Sequence, residues 1–367
     1  MEVPTYELPE AAIAQEPCEP RDAARLLVAT DPSGAVDHRR VADLPALLAP
    51  GDVVVVNTSR VLPARLRLKK ETGGAAEVLL LEPDPGDPAC WLALVRPGRR
   101  LAPGTVLAAA GVPWVEVGER LDDGRRRVRL LSSDPLDTVG TIPLPPYIHR
   151  PLADPGRYQT VYARRDGSVA APTAGLHLTH DVLAGLAQRG IAVVEVDLAV
   201  GMGTFRPVSA DRAEDHTMHV ERYSVPPATL EACRRAERVV AIGTTTVRAL
   251  ETAAATGAIE GRSDLFIRGD YPFALVDVLL TNFHQPRSTL LLLLEAFGGP
   301  RWRDLYATAL ADGYRFLSFG DAMLISRAGA GTAARAGAGT AARAGAGTAA
   351  QADGRTDAGV DVTGQLR

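Results

Sequence analysis

Residues 51–56 read Gly-Asp-Val-Val-Val-Val. Four consecutive β-branched residues between turn formers mark a strand buried on both faces, which calls for layers of structure on either side of it. Ile191 to Val196 (IAVVEV) nearly repeats the pattern. A third strand, Val239 to Ile242, enters Gly243-Thr244-Thr245-Thr246, after which Val247, Leu250 and Ala254 supply the apolar spacing of a helix. Asp181 to Arg189 and Ser288 to Phe297 also read as helices, with Thr179 and Ser288 as N-caps. Strands alternating with helices in this way predict an α/β layered main domain.

The stretch from about Lys69 to Arg150 is different. Glu77 to Leu81, Trp91 to Val95, Thr105 to Leu107, Trp114 to Val117 and Arg126 to Leu131 are short strand signals punctuated by Gly and Pro, with no competing helical period. They predict a small antiparallel β-barrel or sandwich. From Ala328 the octapeptide AGAGTAAR recurs, and a tail of small residues with two glycines in every eight offers little to bury. The expected division is therefore 1–68 for the first part of the α/β domain, 69–155 for the inserted barrel, 156–327 for the second part, and 328–367 for a disordered tail.

A chain of 367 residues with 46% hydrophobic and 23% charged residues can bury a core, which excludes disorder throughout. The leucine run Leu290 to Leu294 is far shorter than the ~20 residues of a bilayer span. The N-terminus, MEVPTYELPE, lacks the basic patch and apolar run of a secretory signal, so the cytoplasm is expected. Cys18, Cys90 and Cys233 stand far apart and support neither a disulfide framework nor a cysteine zinc site. The net charge of −4 gives no global pull on nucleic acid, but Arg60 to Leu130 holds thirteen Lys/Arg against nine Asp/Glu. That stretch is a landing area for a polyanion, or else a set of arginines solvating strand edges.

Five clusters of residues can carry chemistry. Glu214-Asp215-His216-Thr217-Met218-His219-Val220-Glu221 is the densest in ionisable groups. Its imidazoles and carboxylates suit a metal, general acid/base work or a solvated structural segment. Ala171 to Thr179 (APTAGLHLT) is a small-residue turn leading to a helix, open to an anion or simply tight packing. Gly201-Met202-Gly203-Thr204-Phe205-Arg206-Pro207 follows a strand, but the third glycine of a dinucleotide fingerprint is missing and Pro207 interrupts any helix. A hydroxyl, a ring and a cation remain there, suited to adenosine or to an ordinary turn. Thr281-Asn282-Phe283-His284 and Gly243 to Arg248 stand at strand ends, where α/β folds place ligands.

Eleven blocks together resemble the S-adenosylmethionine:tRNA ribosyltransferase-isomerase family of queuosine biosynthesis. They are YELPEAAIAQEPCEPRDAARLLV, VVNTSRVLPARL, KETGG, IPLPPYIHR, RYQTVYA, GSVAAPTAGLHLT, VGMGTFRPV, EDHTMHVERY, VAIGTTTVRALE, LLTNFHQPRSTL and YRFLSFGDAMLI, in family order from about Tyr6 to Ile325. Where the family often reads N-D-T-R this chain has Asn57-Thr58-Ser59-Arg60, losing a carboxylate; Leu178 stands for a usual Phe and Gln285 for a usual Leu. The resemblance implies an α/β domain with an inserted β-barrel. It also implies transfer and isomerisation of the ribosyl moiety of S-adenosylmethionine onto the aminomethyl group of 7-aminomethyl-7-deazaguanine in a tRNA anticodon. The product is epoxyqueuosine, adenine and methionine leave, and S-adenosylmethionine is the co-substrate with no metal.

On that resemblance, His216 or His219 is the expected base for the acidified ribose C5′–H, with Asp215 or Glu221 orienting it, and His177 the proton donor to departing adenine. Thr204, Phe205 and Arg206 are expected to hold S-adenosylmethionine, and Asn282 and His284 to complete its pocket. Arg60, Arg65, Lys69, Lys70, Arg99, Arg125, Arg126 and Arg127 are the expected tRNA contacts. The protein is expected to act as a monomer away from any membrane. Two rivals are a methyltransferase, suggested by strand plus G-x-G, and a non-catalytic tRNA-binding protein. The first would yield S-adenosylhomocysteine, and the second would leave S-adenosylmethionine intact.

Overall fold

The Asp52–Asn57 strand is buried at all six positions. Successive side chains of a strand point to opposite faces. Accordingly Val53 and Val55 join one hydrophobic cluster while Val54 and Val56 join another. In the computed structural model, which describes residues 1–31, 33–98, 100–122, 124–201, 208, 212–216 and 218–329, this strand sits inside a nine-stranded sheet. From edge to edge the order is Glu260–Ser263, Glu221–Ser224, Ala192–Leu198, Asp52–Asn57, Arg238–Ile242, Val278–Asn282, Ala322–Ser326, Arg25–Ala29 and Asp37–Arg40. The four strands from Ala192–Leu198 to Val278–Asn282 run parallel, and antiparallel pairs flank them.

Helices cover both faces. His180–Gln188 packs Val182 and Leu186 on the Val54 and Val56 side. Pro227–Arg235, Thr244–Thr256, Thr289–Gly298 and Trp302–Ala311 cover the Val53 and Val55 side. The expected N-caps form: Thr179 Oγ1 accepts the Val182 N–H at 3.2 Å and Ser288 Oγ the Leu291 N–H at 3.3 Å.

The second sheet closes on itself. Strands Arg65–Lys70, Ala75–Asp84, Asp87–Arg96, Arg126–Leu130, Val112–Arg120 and Thr105–Ala109 pair antiparallel in that order, and Lys69 and Lys70 meet Ala108 and Leu107 to complete a six-stranded barrel. Leu66, Leu68, Val78, Leu80, Val95, Val115, Val117 and Val128 fill it. The strand Arg65–Lys70 begins inside the stretch expected to belong to the α/β domain, because its alternating charges conceal its half-buried pattern. The chain returns through Gly140–Thr141, which pairs with Leu66 and Arg65.

Among the described residues, no helix is long and apolar enough to cross a membrane. Residues 330–367, most of the repeat tail, lie outside the described residues, as do 202–207 with the expected ligand contacts Thr204, Phe205 and Arg206.

Candidate functional site

The parallel strands deliver their carboxyl ends to one place, which is where an α/β sheet binds ligands. Asn282 is the last residue of Val278–Asn282. Its amide nitrogen donates to His177 Nε2 at 3.0 Å, to the Leu317 carbonyl at 3.2 Å and to the Asp321 carbonyl at 3.4 Å. These acceptors fix which end of the amide is nitrogen. Among the described residues, Asn282 Oδ1 has no hydrogen-bond partner.

Asn282 lines a cavity with Tyr147, Ala171 to Ala174, Val200, Gly243 to Thr245, Thr281 to Gln285, Ser288, Leu290, Leu317 and Ser318. Gly243 turns the chain from its strand into the Thr244–Thr256 helix at φ +88°, a conformation that favours glycine. His284 Nε2 lies 3.0 Å from Thr281 Oγ1, and burial pushes its pKa down to about 3. His177, in the turn Thr173–His177, stands behind Asn282. Burial, followed by the charges of Arg315, Arg21 and Arg157, pushes its pKa down to about 4. The expected proton donor is thus a neutral imidazole whose Nε2 accepts from Asn282, an arrangement suited to positioning Asn282 rather than to giving up a proton.

A second cavity adjoins the first across Leu290, which lines both. His216, Met218, His219, Glu221, Arg248 and Phe266 form much of its wall. His216 is half-buried with its ring 5.7 Å from that of Phe266, and burial first, then His219, lowers its pKa. His219 is exposed at the rim. Glu221 Oε1 accepts the Gly201 N–H at 2.8 Å, and Oε2 pairs with the buried Arg248 guanidinium. Glu221 therefore fixes the start of the G-x-G segment, a role the sequence did not suggest. Asp215 is exposed at the end of the short turn Ala213–Asp215 and forms no side-chain hydrogen bond or ion pair among the described residues.

The expected tRNA contacts divide. Arg60 is exposed, 3.8 Å from Asp166, and Lys69 and Lys70 end the first barrel strand. Arg65 is half-buried beside Glu77, and Arg127 is exposed but paired with Asp84 and Glu119. Arg125 is half-buried and Arg99 lies outside the described residues. Arg126 is a correction: it is only 5% exposed, and its guanidinium donates to the carbonyls of Gly98, Leu101 and Gly118. It clamps barrel loops and cannot reach a phosphate. Thr58, which replaces the family carboxylate, is buried with its hydroxyl on the Val196 carbonyl.

Tyr147, Ser318 and Phe266 are not singled out by the sequence reading. The first two stand in the matched blocks IPLPPYIHR and YRFLSFGDAMLI, so the blocks carry that signal. Phe266 stands outside them. Among the described residues no group of three or more His, Cys, Asp or Glu side chains could hold a metal ion.

An α/β sheet with a cavity at its strand ends, accompanied by a closed antiparallel barrel, defines a two-part α/β enzyme fold. Residues 2–325 match the family described as Queuosine biosynthesis protein, and the chain belongs to that family. It is 49% identical over 326 residues to an S-adenosylmethionine:tRNA ribosyltransferase-isomerase of Rubrobacter xylanophilus, covering 88% of this chain and 97% of that protein. A protein of the same name from Thermus thermophilus is 50% identical over 345 residues, covering 89% and 99%. The crystal structure of S-adenosylmethionine tRNA ribosyltransferase from Thermotoga maritima is similar with a TM-score of 0.50 at 36% identity, covering 88% of this chain and 99% of that one.

Proposed function

We propose that this chain transfers the ribosyl moiety of S-adenosylmethionine to the aminomethyl group of 7-aminomethyl-7-deazaguanine in a tRNA anticodon and isomerises it, giving epoxyqueuosine-tRNA, adenine and methionine. What supports this most is a coincidence of sequence and place. Every described residue lining the first cavity belongs to one of six of the blocks that resemble the family, and a seventh, EDHTMHVERY, supplies the histidines of the second.

A sulfonium acidifies the adjacent ribose C5′–H, and a neutral imidazole removes that proton. His216 suits the task because its lowered pKa keeps it unprotonated near neutrality. His219, three residues on, is the second candidate. The proton that the imidazole gains is then available to the departing adenine. Asp215 stays a candidate for tuning these histidines, Glu221 and Arg248 hold Gly201 just before Thr204, Phe205 and Arg206 in the sequence, and those three are the candidate contacts to S-adenosylmethionine. Asn282 and His284 complete the S-adenosylmethionine pocket. The amine nucleophile arrives with the tRNA base, so no covalent enzyme intermediate is needed.

The anticodon loop approaches over the barrel side, with Arg60, Arg65, Lys69, Lys70, Arg99, Arg125 and Arg127 toward its phosphates. This reading treats 69–155, together with the start of the strand Arg65–Lys70, as an inserted domain between the two parts of the α/β domain, and the enzyme as a cytoplasmic monomer that uses no metal.

The decisive experiment supplies purified protein with S-adenosylmethionine and tRNA carrying the precursor base. Adenine and methionine should appear in equal amounts with the modified nucleoside. S-adenosylhomocysteine would instead mean a methyltransferase, and RNA binding with S-adenosylmethionine left intact a binding protein.

A further inference from the structure

We infer that the first cavity holds the amino-acid end of S-adenosylmethionine, with the carboxylate at the N-terminus of the Thr244–Thr256 helix and the ammonium at Asn282 Oδ1. The inference rests on the co-substrate assigned above.

Two independent features meet in this cavity. The first is a helix of 13 residues with no side-chain cap, whose N-cap is a glycine that has none to offer. Val247 is the first residue of the turn whose N–H finds a backbone acceptor, the Gly243 carbonyl. The N–H groups of Thr244, Thr245 and Thr246 precede it, and Gly243, Thr244 and Thr245 all line the cavity. Free N–H groups and the positive end of the helix dipole together favour an anion.

The second feature is Asn282, 3% exposed, with Oδ1 unpartnered among the described residues and its nitrogen committed elsewhere. A buried acceptor in this state calls for a ligand that donates.

Among the described residues that line the cavity none carries a formal charge at neutral pH, His284 included. A ligand group that is anionic at one end, a donor at the other and neutral overall is an α-amino acid zwitterion. Val200, Phe283, Leu290 and Leu317 suit the methylenes and sulfur that follow it. Leu290 then marks the passage to the second cavity, where the ribose would meet His216. A purine in the first cavity would satisfy Asn282 but bring no full negative charge to the helix.

Calorimetric titration of the full chain with three ligands tests this: S-adenosylmethionine, its decarboxylated form and its deaminated form. Loss of a charge-assisted hydrogen bond predicts roughly tenfold to hundredfold weaker binding of the decarboxylated ligand. Asn282→Ala should weaken S-adenosylmethionine about tenfold while changing the deaminated ligand little. Equal affinity for the decarboxylated ligand, or an Asn282→Ala loss common to all three, overturns the inference and leaves the reaction untouched. No binding of S-adenosylmethionine at all removes the reaction as well. Should Asn282→Ala fail to fold, the three ligands on the unaltered chain decide.

Discussion

Glu221 and Arg248 form a buried ion pair between the edge region of the main sheet and the Thr244–Thr256 helix, while the same carboxylate holds the Gly201 N–H. Arg248 is also hydrogen-bonded to the Leu265 carbonyl at 3.1 Å, so the pair ties three segments beside His216. Arg248→Met would take the guanidinium away from a buried carboxylate, and a loss of about 3–5 kcal/mol is expected. Urea unfolding measures it. A loss below about 1 kcal/mol would show that the pair does not organise this region.

His216→Ala and His219→Ala separate the two candidates for the base. Single-turnover rates with saturating tRNA should fall by about 10²–10⁴ for the residue that takes the proton. The other variant should act mainly on binding. Because the His216 pKa is lowered, the acid limb of the wild-type rate should lie below pH 6.5. A limb above that value would point away from His216.

His177 and His284 make stability depend on acid. Both are neutral in the folded chain, with pKa values pushed down to about 4 and about 3 from the ordinary 6.5. The unfolded chain therefore binds more protons once the pH falls below about 6.5. Stability that is present above that pH is lost on the way down to the folded values, at up to about 1.4 kcal/mol per pH unit for each histidine. Urea midpoints at pH 7.5, 6, 5 and 4 should trace the fall, and His284→Gln should flatten it. An unchanged slope in that variant would show that its imidazole is protonated in the folded state.

Arg60, Lys69 and Lys70 are proposed phosphate contacts, whereas the buried Arg126 is not. Each phosphate-contacting side chain removed should lower the slope of log affinity against log salt by roughly 1. Arg126→Ala should leave that slope alone and instead destabilise the barrel, since three carbonyls lose their donor. A changed salt slope in Arg126→Ala would reverse the assignment made from its burial.

The layered fold is legible where side-chain chemistry is uniform. Val53 to Val56 announces a central strand, and Thr179 and Ser288 announce helix starts that the structure keeps. The strand Arg65–Lys70 is hard to read because its outward residues are all cationic and its inward ones, Leu66 and Leu68, are few. In the site, Asn282 and His284 stand out by their place at a strand end. The partners of Glu221 do not, since Arg248 comes from a helix 27 residues further on. Arg126 misleads because a count of charges cannot tell a solvated guanidinium from one spent on carbonyls.

Arg65 and Thr141 are partners across one antiparallel ladder, so the polypeptide departs for the barrel and comes home at almost the same point. The covalent connection to everything between them is a two-strand stalk. Excision at that stalk would leave a gap that a short bridge could span, so a related barrel could be grafted there while the nine-stranded sheet keeps its own strand order.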